Sequence, residues 1–239
     1  MNGLRSRLRD WVSEHSPEML ALFRRARRAA QDHLGSTRRP FERIYRENLW
    51  GSAESRSGTG STSIATAMLC ERLPALLSQL EVRTLLDAPC GDFWVRHANL
   101  VLDQYIGVDV VLDLVDANSR RYGTPSRRFE VLDLTEIVPP TVDLILCRDL
   151  LIHLSYRNAL RVLRNFKRSG SRFLLISQNP DHPENADIVT GSFRPLNLRL
   201  PPFELPSPIL ELEDDSPEPG PRTDRRAMAL WRVADLPVH

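Results

Sequence analysis

Short apolar runs alternate with longer amphipathic stretches through the middle of the chain, a pattern expected of strands that alternate with helices. Each short run is rich in aliphatic and aromatic residues and is followed by polar ones. These runs predict five strands, at residues 82–87, 105–109, 128–133, 142–147 and 172–177. Strands and helices in alternation favour a parallel sheet that is covered by helices on both faces.

Helices are predicted before the first strand and between later ones. Apolar spacing indicates helices from about residue 62 to 80, with a kink or break at Pro74, from 112 to 121, and from a Ser155 cap to Gly170. Only eight residues separate the third strand from the fourth, so no full helix is expected there. The first of these helices is expected to turn inward Ile64, Met68, Leu73, Leu77 and Leu80.

The two ends of the chain differ from this core. Residues 1–40 predict an arm of two amphipathic helices, which could also bind a partner, a membrane surface or a second copy of the chain. Residues 41–239 predict one α/β domain, with two terminal strands at 209–213 and 227–233. Within this domain, residues 178–208 carry seven prolines and are expected to form an irregular lid on the substrate side.

Carboxylates end the first three predicted strands. Asp87 is followed by a Pro-Cys-Gly turn, Asp109 stands 22 positions after Asp87, and Asp133 ends the third strand. An acid about 20 residues beyond the first turn is where a doubly wound fold holds the ribose hydroxyls of an adenosine. The spacing therefore predicts an adenosine-containing cofactor that lies across these strand ends.

Composition narrows the class of protein. The net charge of +1 gives no overall attraction to nucleic acid, although residues 1–47 hold eleven arginines against six acids. No apolar run approaches the roughly 20 residues that span a bilayer. Cys70, Cys90 and Cys147 show no metal-ligand spacing and indicate a reduced protein. We therefore expect a cytoplasmic protein whose partner is a small molecule rather than nucleic acid.

The strand-end acids carry a resemblance to a known family. Residues 41–235 resemble the class I S-adenosylmethionine-dependent methyltransferases, through the ordered series Asp87, Asp109, Asp133 and the run VDLILCRD at 142–149. Pro89 and Phe93 stand where the first and last glycines of the family's D-x-G-x-G-x-G motif would be. The resemblance implies an α/β, Rossmann-like fold, with a mostly parallel seven-stranded sheet, helices on both faces and an antiparallel C-terminal strand pair.

The resemblance also implies which residues bind S-adenosylmethionine. It places the cofactor's ribose at the end of the second strand and its adenine at the end of the third, beside Asp109, Val110, Asp133 and Leu134. The methionine portion would approach the turn made of Asp87, Ala88, Pro89, Cys90, Gly91 and Asp92. The glycine-rich loop at 51–62, with Arg56 and Gly58, would suit its carboxylate, because Arg and backbone N–H groups can hold a carboxylate together. A flexible linker is the alternative interpretation of this loop.

In this family the acceptor lies beyond the fourth strand. That position implies that Arg148, Asp149 and His153 lie beside the methyl group, with His153 as the candidate general base or as a structural histidine. A second interpretation uses a divalent metal, Mg²⁺, to orient an acceptor oxygen and lower its pKa. Its ligands would be Asp149, Asn179 and Asp181.

The acceptor is predicted from the segment after the fifth strand. Residues 179–197 are mostly polar, with Phe193 among them, which suits a hydroxyl-rich acceptor. We therefore expect O-methylation of a sugar or oligosaccharide, of the kind found in bacterial polysaccharide biosynthesis, such as that of methylmannose polysaccharide. Two alternatives stand beside it. One is a methyltransferase for a secondary metabolite or for a nitrogen of protein or nucleic acid, and the other is a non-catalytic binding scaffold.

Overall fold

The computed structural model describes residues 37–214 and 225–237, which contain one seven-stranded sheet with helices on both faces. The two helices predicted for the N-terminal arm fall on residues 4–34 and lie outside the described residues.

The strands are numbered in chain order, from β1 at Thr84–Asp87 to β7 at Ala227–Arg232. Their order in the sheet is β3-β2-β1-β4-β5-β7-β6. Strands β1 to β5 run parallel, and β7 pairs antiparallel with both β5 and β6. The predicted fold class is confirmed, and so is each of the seven predicted strands to within about two residues. The strands are Thr84–Asp87 (β1), Gln104–Asp109 (β2), Arg127–Val131 (β3), Leu144–Cys147 (β4), Phe173–Gln178 (β5), Leu210–Glu213 (β6) and Ala227–Arg232 (β7).

The helices divide between the two faces of the sheet. One hydrophobic cluster joins the central strands to the inner face of the helix Tyr156–Ser169 (α4). A second joins them to the helices Ser63–Gln79 (α2) and Leu112–Tyr122 (α3). All four residues of β4 are buried, as expected of a central parallel strand that is covered on both sides. The helices are Arg38–Glu47 (α1), Ser63–Gln79 (α2), Leu112–Tyr122 (α3) and Tyr156–Ser169 (α4).

Local signals account for the ends of these helices. The hydroxyl of Ser155 accepts a hydrogen bond from the Asn158 N–H at the start of α4, and Gly170 ends that helix with φ +67°. Of the expectations for α2, the break at Pro74 and the inward position of Ile64 were wrong. The helix continues through Pro74, and Ile64 is 67% exposed. Helix α1 was not predicted at all.

A crevice lies at the carboxyl ends of the parallel strands, at the point where the strand order reverses. β2 and β4 lie on opposite sides of β1, so the connections after β1 and β4 leave in opposite directions. Ligands bind at such a switch point, outside the carboxyl ends of the strands. As predicted, no helix separates β3 from β4, and this crevice receives the ends of β1, β2 and β4 together with the segment that follows β3.

The predicted lid is irregular over most of its length, and its amide side chains hold it in shape. Asn185 accepts the Asn197 N–H and donates to the carbonyls of Asn197 and Pro201, while Asn197 donates to the carbonyls of Pro180 and His182. No helix within the described residues is long and apolar enough to cross a membrane.

Candidate functional site

A cavity of about 550 Å³ lies at the carboxyl ends of the strands. Its volume falls within the roughly 300–1,000 Å³ of typical ligand pockets. The segment 37–61 covers one side of it, the ends of β1 and β2 and the residues after β3 form the floor, and the residues after β4 and β5 close the far end. Eight of the predicted site residues line it, namely Arg56, Gly58, Pro89, Gly91, Asp109, Val110, Asp133 and Leu134. The three predicted catalytic residues line it as well, namely Arg148, Asp149 and His153.

Asp109 stands at the end of β2 with its carboxylate toward the cavity. Its Oδ1 accepts the Val111 N–H at 3.0 Å, which fixes the carboxyl group relative to the start of α3. Burial raises the pKa of Asp109 to about 6, against the lowering effect of backbone N–H donors. A carboxylate held in this way can accept hydrogen bonds from two vicinal hydroxyls.

Asp133 is held by two threonines, one of which comes from a distant part of the chain. Thr37 donates its hydroxyl to Oδ2 at 2.7 Å, and Thr135 donates both its hydroxyl and its N–H to Oδ1. Thr37 precedes α1, so this contact fastens the start of the covering segment to the end of β3. The neighbouring Leu134 contributes apolar surface to the cavity.

Only part of the turn after β1 faces the cavity. Pro89 and Gly91 line it, whereas Ala88 and Cys90 are buried beneath it. Gly91 has φ +47°, and a Cβ at this position would lie 2.9 Å from the Ser57 hydroxyl oxygen. Glycine therefore suits this position, because a larger residue would be strained by the positive φ and would press on Ser57 of the covering loop.

Asp87 and Asp92, predicted as cofactor residues, make contacts within the protein. Asp87 is fully buried, and its Oδ2 accepts the Tyr105 hydroxyl at 2.6 Å. Burial raises the pKa of Asp87 to about 7. Asp92 accepts the Ser57 hydroxyl at 3.1 Å. These acids shape the turn from behind, and neither they nor Ala88 and Cys90 belong to the cavity lining.

Arg56 lines the cavity but uses its guanidinium on the covering segment itself. Its Nη1 donates to the carbonyls of Tyr45 and Arg46 near the end of α1, and its Cζ lies 5.7 Å from the centroid of the Tyr45 ring. Gly58 has φ +98° and packs against the Trp50 side chain. The predicted carboxylate contact of Arg56 and Gly58 stays a prediction.

Two arginines and two aspartates form a charge cluster at the end of β4, in which Arg148 and Asp214 are buried and Asp149 and Arg226 are half-buried. Arg148 pairs with both carboxylate oxygens of Asp214, each at 3.0 Å, and donates to the Gly60 carbonyl at 2.6 Å. Arg226 Nη2 lies 2.9 Å from both oxygens of Asp149 and 3.2 Å from Asp214. Burial disfavours ionisation of Asp149, but Arg148 and Arg226 outweigh it and lower its pKa. Asp149 therefore stays charged and paired, and it is a poor general base.

His153 has the geometry of a general base. Its Nδ1 lies 2.8 Å from the Ser192 carbonyl oxygen. Because a carbonyl only accepts hydrogen bonds, Nδ1 carries the proton and Nε2 keeps its lone pair. Burial lowers the pKa of His153 below its ordinary value of 6.5, and the Ser192 carbonyl and Asp149 only partly offset this effect. The imidazole is therefore neutral at pH 7 and able to accept a proton.

The alternative metal ligands are engaged elsewhere. Asp149 pairs with Arg226, Asp181 pairs with Arg225 at 3.3 Å, and the Asn179 oxygen accepts the Leu196 N–H at 3.1 Å. Within residues 37–214 and 225–237, no group of three or more His, Cys, Asp or Glu side chains could hold a metal ion. These donors do not fit the predicted Mg²⁺ site.

Several residues of the cavity lining were not predicted as site residues, among them Trp50, Thr37 and Arg226, and Phe193 was predicted only as part of the polar lid segment. Trp50 stacks on His153 with 4.8 Å between ring centroids, and the Phe193 ring lies 5.9 Å from that of His153. Thr37 and Arg226 contribute through the hydrogen bonds already described. The aromatic residues beside a glycine-rich loop and within a polar lid were a usable signal for Trp50 and Phe193. No comparable signal marks Thr37 or Arg226.

Solved structures of S-adenosylmethionine-dependent methyltransferases share this fold. One from Leishmania major is 14% identical, aligns over 82% of this chain and 87% of its own, and has a TM-score of 0.62. The 1,6-didemethyltoxoflavin N1-methyltransferase of Burkholderia thailandensis, solved with 1,6-didemethyltoxoflavin and S-adenosylhomocysteine, is 15% identical over 84% of this chain and 89% of its own, with a TM-score of 0.57. No protein-family model matches the sequence, and no curated protein matches it either. The likeness establishes a class I methyltransferase fold.

Proposed function

We propose that the protein is an S-adenosylmethionine-dependent methyltransferase in which His153 removes the acceptor proton. One observation carries this proposal. A single cavity reaches from Asp109 and Asp133 at the ends of β2 and β3 to a neutral, oriented histidine after β4. This arrangement brings a nucleoside-binding end and a basic end together in one space.

The residues at the first end fit the nucleoside portion of the cofactor. Asp109 would hold the ribose hydroxyls, and Asp133 with Leu134 would flank the adenine. The close approach of Ser57 to Gly91 leaves little room for a side chain at position 91, so that the Gly91 backbone faces the cavity beside Pro89. The bound S-adenosylhomocysteine of the Burkholderia thailandensis enzyme, which has the same fold, supports this assignment.

The second end prepares the acceptor. When bound, S-adenosylmethionine supplies a methyl group on a sulfonium sulfur, which keeps the carbon–sulfur electron pair when the methyl group leaves. His153 Nε2 takes the proton of the acceptor O–H or N–H, whose electron pair bonds to the methyl carbon. The charges of Arg148 and Asp149 are neutralised by Asp214 and Arg226. Arg148 and Asp149 therefore serve as positioning residues, which hold the chain around the acceptor.

The sugar or oligosaccharide acceptor stays a prediction, and the contacts that the polar lid residues make weaken the argument for it. Of the polar lid residues, Asn185 and Asn197 bind the lid's own backbone, and Asp187 accepts the N–H groups of Tyr156 and Ile188. These side chains hold the lid together, so their polarity does not by itself indicate a hydroxyl-rich ligand.

Calorimetric titration with S-adenosylmethionine tests the proposal. We expect the wild-type protein to bind the cofactor, and Asp109→Ala to weaken binding by about tenfold or more, because the ribose loses its acceptor. Asp103→Ala is the matched control, since its side chain is 70% exposed on the loop before β2. Folded wild-type protein that does not bind the cofactor would contradict the proposal and favour a non-catalytic scaffold.

A further inference from the structure

The acceptor end of the cavity has an aromatic wall, formed by Trp50, His153 and Phe193. Trp50 and His153 stack with an interplanar angle of 30°, and Phe41 braces the Trp50 ring edge-on at 6.4 Å. His153 itself is fixed by the Ser192 carbonyl. Trp50 and Phe193, which come from separate parts of the chain, therefore both lie beside the imidazole of His153, the proposed proton acceptor.

Phe193 is the unusual member of this wall. Its side chain is 67% exposed, although its neighbours Arg194 and Leu196 are buried. An exposed phenylalanine beside a cavity leaves apolar surface in water, which a ligand ring would cover. Its position on the cavity lining makes it a contact surface for a ligand.

The charged and amide side chains at this end already have partners. Asp149 and Arg226 neutralise each other, and the Asn179 amide accepts from Leu196 and donates to Arg225. A sugar buries several hydroxyls, and each one left without a hydrogen-bond partner weakens its binding. Among the described lining residues, these three therefore offer a saccharide little recognition.

Resting on the proposed function, we infer that the acceptor is a planar aromatic compound with one ionisable O–H or N–H, bound against the wall of Trp50, His153 and Phe193. Its ring covers Phe193, and its acidic proton passes to His153 Nε2 as the methyl group is transferred. A histidine with a lowered pKa matches a phenol, whose pKa is about 10, better than an alcohol, which holds its proton far more tightly.

Binding to the protein loaded with S-adenosylhomocysteine tests this inference without requiring turnover. Phenol, catechol and 8-hydroxyquinoline would be titrated calorimetrically against methyl glucoside and methyl mannoside. We expect at least one aromatic compound to bind about tenfold or more tightly than either glycoside.

Substitutions of Phe193 give the second readout. Phe193→Ala is expected to raise KM for the aromatic acceptor about tenfold while kcat and cofactor affinity change little, and Phe193→Tyr is expected to restore KM. Val101→Ala is the matched control, because Val101 is 84% exposed and lies outside the cavity lining.

The outcomes separate this inference from the proposed function. A protein that does not bind the cofactor contradicts both. A protein that binds the cofactor but prefers the glycosides, or binds neither class of acceptor, overturns the aromatic acceptor alone. An unchanged KM in Phe193→Ala would also overturn it, because the wall would then not contact the acceptor.

Discussion

At the scale of single residues, the site depends on which atoms are already engaged. His153 is available as a base because a carbonyl fixes the proton on Nδ1, whereas the neighbouring Asp149 is held by Arg226. Both are polar residues after β4, and the sequence predicted His153 as the candidate base or as a structural histidine. Hydrogen bonding favours His153 as the proposed base and makes Asp149 a structural acid.

His153→Gln is expected to lower kcat by about 100- to 10,000-fold, since a glutamine amide cannot take up the acceptor proton. The wild-type rate should rise with pH through the lowered pKa of His153, below 6.5, and then level off, because only the neutral imidazole is a base. This acidic limb should disappear in the variant. The measurement is the rate of S-adenosylhomocysteine release between pH 5 and 8.

His97→Gln serves as the control for this substitution, because His97 is exposed and lies outside the cavity lining. It should keep both the rate and the pH profile of the wild type. A His153→Gln enzyme that retains the wild-type rate would rule out His153 as the base.

At the scale of elements, the covering segment is what makes a cavity out of a crevice. Helix α1 and the loop that follows it are fastened to the domain at Thr37, Ser57 and Gly60 by single hydrogen bonds. Apolar contacts hold the same segment, because Phe41 packs on the hydrophobic core and the Trp50 ring stacks on His153. The segment thereby encloses a space that a sheet edge alone would leave open to water. A Cβ at Gly91 would lie 2.9 Å from the hydroxyl oxygen of Ser57 in this segment.

Gly91→Ala is expected to weaken cofactor binding by about tenfold, because the new Cβ would displace Ser57 from the turn. Gly170→Ala is the matched control. Both residues have positive φ, and each alanine should cost about 1–2 kcal/mol of unfolding free energy, but nothing lies within 4 Å of a Cβ at Gly170. Urea unfolding and calorimetric titration measure the two effects. Equal cofactor affinities in the two variants would show that the Ser57 contact is unimportant.

At the scale of the whole molecule, the charge cluster connects segments that are far apart in sequence. Arg148 follows β4, Asp214 follows β6, and Arg226 precedes β7. The Gly60 carbonyl joins the covering segment to the same cluster. The antiparallel strand pair is thereby tied to the acceptor end of the cavity.

Asp214→Asn is expected to destabilise the fold by about 3–5 kcal/mol, because it leaves Arg148 buried with less than its full charge compensation. Glu47→Gln is the contrasting control. It removes an exposed ion pair with Arg43 and should cost less than about 1 kcal/mol. Urea unfolding of both variants gives the comparison. Equal costs would mean that the cluster is not a stabilising unit.

The sequence was sufficient for the sheet and for part of the cofactor end. Strands such as β4 are continuous apolar runs, Asp109 ends β2 and Asp133 follows β3 by two residues, so local pattern and chain direction place both acids at one edge of the sheet. Asp87 is also at a strand end, but its burial behind the turn depends on Tyr105 from the neighbouring strand. A one-dimensional pattern does not distinguish a carboxylate that faces a ligand from one that faces the core.

What the sequence by itself determined about this protein was the α/β class, the strands and the strand ends where chemistry could occur, because these follow from residue-by-residue periodicity. The tertiary structure alone decided which side chains are free to act. Helix α1 covers the cavity, Arg226 neutralises Asp149, and Trp50 and Phe193 flank His153. Each of these depends on contacts between residues tens of positions apart, and such contacts form only when the chain folds.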